Sequence, residues 1–325
     1  MLQLMRHLLA LTLAVGTVHA AAADSASSYP SRPVRLVTGS PGSTSDFAAR
    51  FVAQRLTERW GRTVVVDNRP GAGGIIGTEI VAKSAPDGYT LIVGQIGTHA
   101  SPQFLYKKLP YDPIKDFAAI SLLTNSGISL VIHPSVPANT LKEFVAYARS
   151  KPGALNYGSA GGGTSSQLSG ELFNQMTGAR LVHVPYKGAG FALTAVVQGE
   201  TQAAFLSTTT AAIQVRAGKL KALAVLSPQR FPAAPDIPSI TEAGFPGIES
   251  SVWFGLLAPA ATPGPIIDKI NRDVVAILST PEARDQMLTQ GAEPTPTTPQ
   301  EFDAFLKREI SKWERVIREA GIKAS

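Results

Sequence analysis

Two glycine-rich turns each occur twice in this chain, and that duplication restricts the possible folds more than any other feature. Gly39-Ser40-Pro41-Gly42 returns as Gly158-Ser159-Ala160-Gly161, and Gly71-Ala72-Gly73 returns as Gly188-Ala189-Gly190, at nearly the same interval. Glycine-rich turns are common wherever strands feed helices, so it is the paired spacing that argues for an internal repeat. Around the first pair the pattern reads strand Val34 to Val37, helix Ser45 to Glu58, strand Thr63 to Val66, helix Gly77 to Lys83, strand Tyr89 to Val93. Around the second it reads strand to Tyr157, helix Thr164 to Met176, strand Leu181 to Val184, helix Ala192 to Val197, strand Gln202 to Leu206. Such alternation predicts an α/β fold with mainly parallel sheets.

A chain of 325 residues is longer than one core usually serves, so two lobes are expected. Ile120 to Thr124 and Val252 to Leu257 are apolar strands at the borders of the second unit, and both are expected to cross between lobes as a two-strand hinge. The expected division is a signal peptide at 1–23, a discontinuous lobe 1 at 24–124 and 252–325, and lobe 2 at 125–251. Pro265 to Leu278 reads as a helix in the returning segment. Thr298-Pro299-Gln300-Glu301 is a capping box with Pro at the first helical position. Behind it Phe302, Phe305, Leu306, Ile310, Trp313, Val316 and Ile317 share one helical face. The other face mixes acids and bases, which suits packing better than a membrane surface.

Arg6 and His7 precede an apolar run from Leu8 to Val18 and small residues at Ala20 to Ala23, the pattern of a cleaved secretory signal. Export into the periplasm is the expectation, and the absence of cysteine removes disulfides, thiol nucleophiles and zinc-thiolate sites. The formal charge is +6, or +5 once Arg6 leaves, with no basic run and no interleaved aromatics, so nucleic acid is not an expected partner. A mild pull on anions is what remains.

The turns at Gly39–Asp46 and Gly158–Ser166 carry the chemistry. Glycines let a ligand approach the backbone, and hydroxyls stand at helix N-termini whose free N–H groups and dipoles attract an anion. Open α/β sheets bind ligands outside the carboxyl ends of their strands, which is where both turns fall. Asp46 reads first as a helix cap and second as a ligand contact. The second turn has P-loop glycine spacing, but Thr164 stands where the lysine should be. Gly71, Gly73 and Gly77 make only an imperfect dinucleotide fingerprint, so no cofactor is expected. No serine satisfies the hydrolase elbow, and His99, His133 and His183 lack zinc spacing. His133 and His183 read as structural, whereas His99 either packs or lines the cleft.

Motifs spread from Pro33 to Ile322 resemble the Bug family, extracytoplasmic receptors of tripartite tricarboxylate transporters. They are VVDNRPGAGG (Val65 to Gly74), APDGYT (Ala85 to Thr90), LYKKLPYDPIKDF (Leu105 to Phe117), LNYGSAG (Leu155 to Gly161), HVPYKG (His183 to Gly188), AGKLKALAV (Ala217 to Val225), FGLLAP (Phe254 to Pro259) and QGAEP (Gln290 to Pro294). The resemblance implies a periplasmic binding-protein (Venus flytrap) fold without catalysis. A small organic carboxylate would be held between the two turns, largely by backbone and ordered water, and delivered to membrane subunits. The receptor itself is expected to be a monomer. Family binding positions carry over to Ser40, Gly42, Ser43, Thr44 and Asp46, and to Gly161, Gly162, Thr164 and Ser165. Where the family commonly has Asp after the strand Gln202 to Leu206, this chain has Ser207, followed by Thr208, Thr209 and Thr210. The expected pocket is therefore less acidic and poorly suited to a ligand amino group. A sensor signalling to a membrane kinase and an exported enzyme acting on a small acid are the rival expectations.

Overall fold

The computed structural model describes residues 28–290 and 292–322; the expected signal peptide lies outside them. The elements, in order, are β1 (Val34–Thr38), α1 (Thr44–Trp60), β2 (Val64–Asn68), α2 (Ile75–Ala82), β3 (Thr90–Gln95), the short α3 (Pro102–Leu105) and β4 (Phe117–Ile132). Then come α4 (Leu141–Ser150), β5 (Asn156–Ser159), α5 (Ser165–Thr177), β6 (Val182–Pro185), α6 (Ala189–Gln198), β7 (Ala203–Ser207), α7 (Thr208–Arg216) and β8 (Lys221–Val225). The chain ends with β9 (Ser251–Pro259), α8 (Gly264–Leu278), α9 (Pro281–Thr289) and α10 (Pro299–Ala320).

Both units of the repeat close into the same arrangement. β1 pairs in parallel with β2 and β3, and β5 pairs in parallel with β6 and β7. The strand order β2-β1-β3-β9-β4-β7-β5-β6 places one unit at each end and the two crossing strands in the middle, with β8 on the far side of β4. Period-two alternation fixes which face each residue serves. Leu36, Leu91 and Val93 join a core beneath α1 and α8, while Val37 and Ile92 face the opposite way into a second core.

The hinge is longer than the apolar runs suggested. β4 pairs antiparallel with β9 from Phe117↔Pro259 to Gly127↔Ser251, and the register shifts at Ala119/Ser121 and Leu122/Thr124. From Ile128 onward the same strand pairs with β7 and β8. One 16-residue strand thus belongs to both sheets, changing partners between Gly127 and Ile128.

The capping box at Thr298 forms, with Glu301 N–H donating to Thr298 Oγ1 at 3.2 Å and Thr298 N–H donating to Glu301 Oε2 at 2.9 Å. α10 then buries Phe302, Leu306, Ile310, Trp313, Val316 and Ile317 in the core that also holds Phe144 and Phe173 of the second unit. Gln175 Nε2 in α5 donates to the Val316 carbonyl at 2.8 Å. Residues 299–320, expected in lobe 1, therefore also touch the second unit.

Candidate ligand-binding site

A cavity of about 970 Å³ opens at the carboxyl ends of the parallel strands of both units. Its walls come from the turn after β1 (39–45), the turn after β5 (160 and 162–166), and the turns after β2 and β6. The end of β7, the segment from the end of β3 to α3 (95–97, 101 and 105–106), Ile128 of β4 and residues 252–254 of the hinge strand β9 complete it.

The first turn is built around Asp46, which is 4% exposed and faces away from the cavity. Its carboxylate accepts from Gly42 N–H at 2.9 Å, Arg50 Nε at 3.0 Å and Asn68 Nδ2 at 2.8 Å, while Asn68 also donates to the Gly39 carbonyl at 3.0 Å. Burial works to raise the Asp46 pKa, but the donors Arg50, Asn68 and Gly42 outweigh it and hold the carboxyl below its usual range. Ser43 caps α1, its Oγ accepting from Asp46 N–H at 3.2 Å. In the second turn Thr164 Oγ1 donates to the Gly161 carbonyl at 2.6 Å and leaves the first turn of α5 uncapped.

Uncapped helix starts gather here. α2, α5, α6 and α7 begin at Gly74, Thr164, Gly188 and Ser207, none of which makes a side-chain cap hydrogen bond, and all four residues line the cavity. α1 also starts at the cavity but is capped by Ser43; of the helices that begin elsewhere, α4, α9 and α10 are capped by threonine hydroxyls and α8, starting at Pro263, has no side-chain cap. Free N–H groups and helix dipoles thus converge on one space. No Asp or Glu is among the residues lining it. A space of this kind favours an anion and offers no partner for an ammonium group.

Of the expected site residues, the cavity brings together Ser40, Gly42, Ser43, Thr44, Gly162, Thr164, Ser165 and Ser207. Three stand outside it. Asp46 braces the first turn from behind, and Gly161 packs so closely that an added Cβ would lie 3.3 Å from the Tyr186 carbonyl. His99 is fully buried, its ring 4.6 Å from that of Phe117 and its Nδ1 2.9 Å from Thr98 Oγ1. Burial alone pushes its pKa down to about 3, so it stays neutral in the core and does not reach the cleft.

Sequence reasoning missed the walls supplied by Pro70, Gly71, Gly73, Gly74, Gln95, Lys187–Thr194 and Thr210. A signal was present for two of these stretches. Gly71-Ala72-Gly73 and Gly188-Ala189-Gly190 had been recognised as a repeat, and both follow strand ends exactly as the other pair of turns does.

Ser159 Oγ lies 2.6 Å from His183 Nε2, which invites comparison with a hydrolase. The other ring nitrogen is 3.3 Å from Gln167 Nε2, an amide nitrogen that can only donate. Gly163 N–H donates to Gln167 Oε1 at 2.7 Å and so turns the amide Nε2 toward the ring; the imidazole Nδ1 is then the acceptor and the ring proton sits on its Nε2 facing the hydroxyl, the reverse of a general base's arrangement. Ser159 is also fully buried and does not line the cavity.

Fold and cleft together define the periplasmic binding-protein class. Residues 48–322 match the tripartite tricarboxylate transporter family receptor, and the chain belongs to that family, the group that contains the Bug proteins. It is 34% identical to protein BugT of Bordetella pertussis over 311 residues, covering 95% of each chain. A solved R. palustris protein with adipate is 36% identical, with a TM-score of 0.81 over 91% of this chain and 99% of that one. MatC from Rhodopseudomonas palustris with bound malate is 35% identical, with a TM-score of 0.78 over 89% and 100%.

Proposed function

We propose that this chain is a periplasmic receptor that captures a small organic carboxylate between its two lobes and delivers it to the membrane subunits of a tripartite tricarboxylate-type transporter. One observation carries the reading: four uncapped helix N-termini open onto a cavity that no carboxylate side chain lines. Relatives solved with adipate and with malate support the same ligand chemistry. The hydroxyls of Ser40, Thr44 and Ser165 and the free N–H groups of the two turns hold the acid group beside Ser43 and Thr164, and Gly42 and Gly162 admit it to the backbone. Ser207, in place of an acid, keeps this end of the cavity neutral.

The test is calorimetry with a panel of mono-, di- and tricarboxylates on protein purified without refolding, followed by Ser207→Asp. The new carboxylate starts α7 as a good helix cap, so thermal unfolding is expected to stay unchanged or rise. Affinity for the bound acid is expected to fall about tenfold or more, because a like charge now faces it. Carboxylate affinity that is indifferent to this substitution would remove Ser207 from the site.

A further inference from the structure

Lys187 is the single charged side chain among the described residues that line the cavity. It is exposed and makes no ion pair or side-chain hydrogen bond with another described residue. The duplicated topology shows why this matters. Pro70 holds the matching place in the first unit, directly before Gly71, so the cation exists in one lobe and has no counterpart in the other.

Its location relative to the acid-binding turn is also fixed. Tyr186 N–H donates to the Ser159 carbonyl at 3.0 Å, and β6 is the edge strand beside β5. Lys187 therefore leaves the sheet one strand spacing, about 5 Å, outward from the Gly158–Ser165 turn. On the hinge side of that turn stand Ser207 and Thr210, whose hydroxyls are joined at 2.8 Å and carry no charge. The cavity thus runs from a neutral, hydroxyl-bearing inner end, past the converging helix starts, to one unpaired cation near its outer edge.

We propose that Lys187 binds a second acid group of the ligand, so that it sets a preference for acids carrying two separated anionic groups over those carrying one. This deepens the carboxylate reading above and rests on it. In the free protein the ammonium is hydrated, and an ion pair in that setting contributes little. As the lobes close and water leaves, the same pair strengthens. The flexible four-carbon stem tolerates a range of positions, so Lys187 reads charge and reach more than linker shape.

Calorimetry of the full chain with matched ligands tests this: succinate, glutarate and adipate, each beside its monomethyl ester, which keeps the first acid group and loses the second charge. At least one diacid is expected to bind about tenfold more tightly than its half-ester, and Lys187→Met is expected to reduce that ratio by about tenfold. Lys187→Arg is expected to keep most of it. The ratio separates a lost second contact from a general loss of binding, and thermal unfolding of each variant reports its folding. A ratio unmoved by Lys187→Met, or half-esters that bind as tightly as diacids, overturns the role of Lys187 and leaves the carboxylate reading standing. Failure of every diacid and every half-ester to bind overturns this inference; the carboxylate reading falls with it only if the mono- and tricarboxylates of the wider panel also fail to bind.

Discussion

Asp46 reads either as a helix cap or as a ligand contact, and His99 either as packing or as cleft lining; the side chains of both lie outside the cavity lining. A carboxylate and an imidazole are equally at home in a ligand site or in a supporting role, and residue type alone does not separate the two. Asp46 is decided by its donors: three groups hold it, including a backbone N–H of the turn it shapes. Because its folded pKa is depressed, its stabilising contribution is present above the unfolded value of about 3.9 and is lost as pH falls through the lower folded value. Asp46→Ala is expected to lower stability by about 1–3 kcal/mol at pH 7. Urea denaturation at pH 7 and again near pH 2 checks this, and the gap between variant and parent should narrow at the lower pH. A gap independent of pH would mean that the carboxylate's charge is not what holds the turn.

At the scale of elements, the hinge strand β9 and the helix α10 are matched to each other. Phe302, fully buried on α10, packs so closely over Gly255 of β9 that an added Cβ would lie 2.0 Å from its Cζ. Glycine is needed there because the tip of the Phe302 ring lies against the strand's backbone. Nearby, Trp253 Nε1 and Trp313 Nε1 donate to Glu309 Oε2 at 3.0 and 2.8 Å, and Lys312 pairs with the same buried carboxylate. The hydrogen bonds satisfy an acid that would be costly to bury alone. Gly255→Ala forces the aromatic ring aside in a filled core and is expected to cost about 1–3 kcal/mol, read as a lower urea midpoint with an unchanged slope. A variant as stable as the parent would show that α10 is free to shift on the hinge.

For the whole molecule, the arrangement predicts a cleft that closes. Each lobe keeps its own parallel strands, while β4 and β9 run through both halves as one antiparallel ladder whose register irregularities fall within Ala119–Thr124. Bulges of this kind bend and twist a strand locally, which suits a hinge. An anion touching both lobes binds the closed form better than the open one, and that difference alone moves the equilibrium. Small-angle scattering with and without a carboxylate already shown to bind is expected to give a smaller radius of gyration at saturation. No change would leave a preformed pocket in place of closure. Because α10 is bonded to α5 through Gln175 and Val316, closure has to carry this helix with one lobe or slide it against the other.

The βα order, the paired glycine turns and the Thr298 capping box were legible in the sequence because each depends on a few neighbouring residues. Valine-rich runs, glycines and a threonine three residues ahead of a glutamate act locally, whatever surrounds them. The full course of β4 was not legible, since the expected strand Ile120 to Thr124 is followed by Asn125-Ser126-Gly127, which carries no apolar pattern. It continues as strand because β9 pairs along it, and because Glu293 O accepts from Asn125 N–H at 3.1 Å while Ser126 Oγ accepts from Glu293 N–H at 2.9 Å. Those partners lie more than a hundred residues away along the chain. Packing between elements, which no local pattern encodes, also hid the burial of His99 against Phe117, the reach of α10 across both lobes, and the placement of Lys187 beside the turn after β5. Local chemistry chose the elements; only their packing decided which side chains face the cavity and which support it from behind.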